Sequence, residues 1–291
     1  MTKSSKVIAS FSLIVIAFSC ASVKSTRNDW FRDVNVCAKL VEDVLVYPVF
    51  VQSKKGEKWN EDIKKEYIDS LNVALKWIES KATDAKVKLR FITEVHPKTI
   101  VKGLPGKTMA ETNKMLSESN NFTKFNKHYD GLAKKVGVAV TKKQVSKPLV
   151  TKVKNKERLV AQLRNTYNVE SVILMFVHLP EGLDNIYLTM NSLTNQDVEF
   201  SVTSFKSPNV LAYQVLEIFG AGPLMYSKTH KKEKESWEFV QENFPKDVMA
   251  NLGRNLQTLE IGHFTQYLIG WHSDYKEEYK KLYSRRSVIV K

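Results

Sequence analysis

The chain of 291 residues has only two cysteines, Cys20 and Cys37. A framework of several disulfides is thereby excluded, and the fold must stand on a packed core. There is no Gly-x-Ser-x-Gly elbow and no Cys-x-x-Cys pair, so serine and thiol catalysis lack sequence support. The GLPGKT segment at Gly103 to Thr108 carries Val101 where a nucleotide-binding loop needs glycine, which leaves a lysine-bearing turn instead of a phosphate cradle. Carboxylates are also short, 31 against 45 lysines and arginines, giving a formal charge of +14. That balance favours acidic partners such as nucleic acid, anionic lipid or acidic polysaccharide. Lys142, Lys143, Lys147, Lys152, Lys154 and Lys156 cluster, but without interleaved aromatics. A solvated basic loop over 140–156 near an anionic surface is expected, and a nucleic-acid groove is not.

The chain opens with Lys3 and Lys6, an uncharged stretch from Val7 to Ser19, and then Cys20. Thirteen residues of helix reach about 20 Å, short of a hydrocarbon core of about 30 Å. Residues 1–19 are therefore expected to be a removable export signal and not a membrane span. Ala17-Phe18-Ser19-Cys20 resembles a bacterial lipobox, which implies acylation of the Cys20 thiol and tethering to the cell envelope, the outer membrane rather than the inner. Cleavage after Ala21 by an ordinary signal peptidase is the alternative. With Cys20 lipidated, Cys37 would be the one thiol of the mature chain. Residues 20–42 would form the tether, 43–272 the folded domain and 273–291 a charged tail.

Asp43 to Gln52 predicts a first strand, with Pro48 suited to an edge or a strand end. Ile63, Tyr67, Leu71, Leu75 and Ile78 predict a long amphipathic helix capped by Asn60. Lys86 to Thr93 alternates as a second strand, so the strand-helix-strand order predicts a parallel crossover. The segment from Pro97 to Pro148 is too weakly patterned to assign. Asn155 to Asn168 predicts a helix and the apolar Glu170 to His178 a strand buried on both faces. Two further strands are expected within Asn185 to Asn191 and Asp197 to Lys206. Pro208 opens a helix that Gly220 or Gly222 closes; further helices are expected over Glu233 to Asn243 and Leu256 to Trp271.

Leu211 to Tyr226 reads LAYQVLEIFGAGPLMY. This stretch resembles the active-site helix of zincin, metzincin-like, metalloproteases: Ala212, Phe219, Gly220, Ala221 and Leu224 keep the frame of their His-Glu-x-x-His-x-x-Gly-x-x-Asp signature. FPKDVMAN at Phe244 to Asn251 resembles the methionine-bearing turn of that family, with Met249 as the floor. Leu256 to Trp271 resembles its closing helix, and the segments upstream are similar to lipoprotein zincins of Bacteroidetes-type bacteria. The resemblance implies an α+β fold with a mixed sheet, an active-site helix, a Met-turn and C-terminal helices.

The residues that would do the chemistry are replaced. Residues four apart on a helix sit one above the other, which is how two imidazoles converge on zinc. Here those places hold Tyr213 and Glu217; the general-base position holds Gln214, and the third ligand position holds Pro223. A phenol is a poor zinc ligand, an amide cannot take a proton from bound water, and proline has no donor. The expectation is an inactive metalloprotease relative with no zinc and no catalytic residues, binding a peptide, protein or glycan between an edge strand and the Tyr213 to Glu217 face. Two alternatives stand beside it. One is a hydrolase with an unorthodox site around Tyr213, Gln214 and Glu217; a relocated metal held by Glu217 with His230, His263 or Asp247 is a separate and lesser reading. The other is a structural envelope protein that engages anionic surfaces through its basic loop.

Overall fold

The computed structural model describes Cys37 and residues 39–53, 57–117, 119–140, 153–181, 185–190, 199–226 and 231–282. The expected leader, Cys20, the turn at 192–196, His230, residues 283–291 and all of the basic loop before residue 153 except Val140 lie outside them.

The strands are β1 (Glu42–Gln52), β2 (Leu89–Thr93), β3 (Ile100–Val101), β4 (Ser171–His178), β5 (Tyr187–Met190) and β6 (Phe200–Thr203). The helices are α1 (Glu61–Asp84), α2 (Met109–Ser117), α3 (Ser119–Val140), α4 (Lys156–Tyr167), α5 (Pro208–Ile218), α6 (Lys231–Asn243) and α7 (His263–Leu268). The sheet runs β2-β1-β4-β6-β5, with β3 also on β1. All pairings are parallel except β5 with β6. The sheet is thus mixed and mostly parallel, with helices on both sides.

Parity in the central strands sorts the core into two layers, because successive side chains point to opposite faces. Val44, Val46 and Phe50 of β1, with Ile173, Met175 and Val177 of β4, pack on α1, α5 and the C-terminal segments. Leu45, Tyr47, Val49 and Val51, with Val172, Leu174 and Phe176, pack on α3 and α4. Burial on both faces is why β4 is apolar almost throughout. The helix α1 begins where expected: the Asn60 side chain accepts from Ile63 N at 2.8 Å. Asn155 and left-handed Asn168 bracket α4 in the same way.

Three expectations are corrected. Pro48 lies in an interior strand. Its position is tolerated because β2 ends opposite Val46 and β3 starts opposite Val51, so the missing N–H falls in the gap between two neighbours. Its carbonyl still accepts from His96 N at 2.9 Å. Leu256 to Trp271 is no continuous helix: a 3-10 turn at Leu256–Thr258 and a bridge from Glu260 to Asp247 precede a short α7. The packed body also exceeds 43–272 at both ends. Leu40 N donates to Ile269 O, Trp271 Nε1 donates to Leu40 O, and Tyr279 and Leu282 are buried. Among the described residues no helix is long and apolar enough to cross a membrane.

Candidate functional site

Pro208 occupies the first turn of α5, and every residue from Leu211 to Ile218 is buried. A helix with no solvent face is held by neighbours on all sides; α1, β5 and β6 are among them. The helix stops in a full Schellman motif. Ala221 N donates to Leu216 O and Gly220 N to Glu217 O, with Gly220 at φ 98°. Gly222 is not the stop. The chain then runs back so that Leu224 N donates to Met249 O at 3.0 Å. Half-buried Pro223 thus lies in the segment that returns to the buried Met249.

Tyr213 and Glu217 share one side of α5, and β5 meets them there. The Tyr187 hydroxyl donates to Glu217 Oε2 at 2.7 Å, and the Tyr187 and Tyr213 rings lie 6.0 Å apart. Burial first, and then the Glu217 carboxylate, hold the Tyr187 phenol well above its usual pKa, so it stays a donor. Tyr213 is 3% exposed and Glu217 9%. The edge strand and the helix face lie side by side, but where a binding cleft between them was expected the space is filled by Tyr187, which the sequence did not single out. Its signal was only the alternation of β5, which puts Tyr187 on the α5 side.

Gln214 is wholly buried, and neither its Nε2 nor its Oε1 has a partner among the described residues. It cannot serve as a general base in any case, because an amide does not titrate in the working range.

Asp247 is the centre of the Met249 turn. Its Oδ1 accepts from Met249 N at 2.7 Å, and its Oδ2 accepts from Gly262 N at 2.9 Å and from the Thr265 hydroxyl at 2.8 Å. A Cβ at position 262 would meet Oδ2 at 2.5 Å, so only glycine fits this approach. Burial outweighs the three donors and lifts the carboxyl to about 6. Asp247 therefore fastens α7 to the turn and is not spare for a metal. His263 is bonded to the Tyr279 hydroxyl and stacks on His272 at 4.1 Å. Among the described residues no three of His, Cys, Asp and Glu gather as a metal-holding group, so the relocated set of Glu217, His263 and Asp247 is not assembled.

The remaining buried histidines belong to the opposite layer. His96 is bonded to Tyr47 and His178 to Tyr129, each at 3.1 Å, and burial lowers them to about 4 and about 3. Cys37 donates its thiol to Val172 O, and burial pushes its pKa up. The chain was compared with protein-family models, with curated proteins and with solved structures, and matches none of them.

Proposed function

We propose that this chain is an exported, membrane-tethered binding protein on a metalloprotease-like frame without zinc ligands or general base, and that it holds an extended peptide segment along β5. The zincin-like reading draws support from the order of its parts: a buried helix, a glycine turn, a return segment bonded through Leu224 to the turn that bears Met249, and an edge strand over the helix. One observation carries the binding reading. The polar face of α5 is closed by the Tyr187 to Glu217 bond, whereas the far side of β5 carries no strand among the described residues.

Ser204 N donates to Ile186 O. Alternation along an antiparallel pair then directs Ile186, Leu188 and Met190 toward β6, and the backbone groups of Tyr187 and Thr189 outward. Those groups offer an incoming strand its hydrogen bonds. Thr189→Pro removes an outward donor and spares the β6 ladder.

The test is titration of the full chain with a library of extended peptides, alongside metal analysis. Peptide binding lost in Thr189→Pro, with the melting curve intact, is expected. Near-stoichiometric zinc in the purified protein, or peptide turnover that chelators leave intact and Glu217→Ala abolishes, would overturn the reading. The combined change Tyr213→His, Gln214→Glu, Glu217→His and Pro223→Asp should create zinc affinity.

A further inference from the structure

The outer face of α3 carries one sign of charge. Lys124, Lys127, Lys134 and Lys135 are exposed along it, together with Val138. At about 100° per residue these positions and Gly131 fall within one stripe, about 21 Å long at 1.5 Å per residue. Lys102, arriving from β3, extends it. Its Nζ donates to His128 O at 2.7 Å and lies where a Cβ on Gly131 would be only 2.8 Å away, so the glycine is what lets the lysine lie across the helix. The carboxylate of α3, Asp130, is engaged away from the stripe by buried Lys156 at 2.5 Å.

The stripe holds more than charge. Val101 and Val138 are 58% and 60% exposed, and Lys135 Nζ donates to Val101 O at 3.2 Å, which brings the two valines to the same end. The aromatic residues of α3 whose burial is described, Phe125 and Tyr129, are turned into the core and offer nothing for base stacking. Half-buried His128 beside the stripe is lowered to about 4, by burial first and then by Lys102 and Lys135.

We propose that this face of α3, with Lys102 and Val101 of the neighbouring segment, docks on an anionic lipid bilayer, the lysines over the headgroups and the two valines entering the interface. Lysines at an anionic surface strengthen binding about five-fold each, and exposed apolar side chains add an attraction that a soluble polyanion cannot supply. This surface is separate from β5, so it stands or falls independently of the peptide reading.

The experiment is co-sedimentation of the full chain with phosphatidylcholine vesicles, with and without phosphatidylglycerol. Whatever residues 1–19 contribute is common to both. Tighter binding to the anionic vesicles is expected, falling as salt shortens the screening length from about 10 Å at 0.1 M to about 3 Å at 1 M. Changing Lys124, Lys127, Lys134 and Lys135 together to Glu should weaken it by at least ~50-fold; the same four changed to Gln repeat the test without added carboxylates. Val138→Ser, which removes the apolar side chain without adding charge, should weaken vesicle binding and leave binding to inorganic polyphosphate unchanged. Equal binding to both vesicle types, lysine variants with unchanged affinity, or tighter binding to duplex DNA than to anionic vesicles would each overturn the proposal.

Discussion

A primary amide has two donors and an acceptor oxygen, and Gln214 brings them into the core without a described partner. Leaving such groups unmet costs about 1–3 kcal/mol. Gln214→Leu keeps the bulk and removes the unmet groups, so it should raise stability by about 1 kcal/mol, read as a higher urea midpoint at unchanged slope. A loss of stability instead would show that the amide is satisfied in solution. Asp247 poses the opposite problem, a carboxylate with three donors that is still hard to ionise. Its folded pKa of about 6 exceeds the ordinary 3.8, so the folded chain holds this proton more tightly than the unfolded one. The resulting stabilisation is complete below pH 3.8 and is lost as pH rises through about 6. Between those limits the wild type should lose about 3 kcal/mol relative to Asp247→Asn, which has no proton to release. Parallel pH profiles for the two proteins would remove Asp247 from the account.

At the scale of elements, the turn after α5 decides where Leu224 meets Met249. Gly220 sits at φ 98°, a conformation that an L side chain enters at a cost of about 1–2 kcal/mol. Gly220→Ala should lower stability by that amount and loosen the Leu224 to Met249 bond, detectable as faster exchange at the Leu224 amide. Such local signals were the legible ones. Asn60, Asn155, Pro208 and Gly220 marked helix ends because capping is short-range chemistry, and β4 declared itself by being apolar on both faces. What stayed hidden depends on distant partners. The chain breaks within Leu256 to Trp271 because Asp247 draws Gly262 N and the Thr265 hydroxyl onto one oxygen, a constraint that no periodicity carries. The segment from Pro97 to Pro148, α3 included, stayed unassigned because its apolar pattern is weak and glycines such as Gly131 and Gly137 interrupt it. Both glycines instead make room for neighbours, Lys102 and Val153. At the candidate site, the unsuitability of Tyr213, Gln214 and Pro223 for holding zinc or moving a proton was readable from their side-chain chemistry, whereas the closure of Glu217 by Tyr187 was not, since it joins residues 30 apart.

For the whole molecule, the C-terminal segment acts as part of the core and not as a tail. The Tyr279 ring lies 4.8 Å from Phe264 and 6.0 Å from Phe244, and its hydroxyl is bonded to His263 Nδ1. The Ser236 hydroxyl donates to Lys281 O at 2.6 Å, tying the segment to α6. Removing a buried aromatic costs about 3–5 kcal/mol and a buried leucine about 2–5. A chain ending at Trp271 loses both Tyr279 and Leu282. Their combined cost rivals the roughly 5–15 kcal/mol that holds a domain together. Such a chain should fail to unfold cooperatively in urea and should lose exchange protection first in α6 and α7, which the segment covers. Tyr279→Phe, which gives up only the bond to His263, should cost about 1 kcal/mol and leave the transition sharp. A chain ending at Trp271 with the full-length midpoint and slope would mean that the segment rests on a body already complete without it.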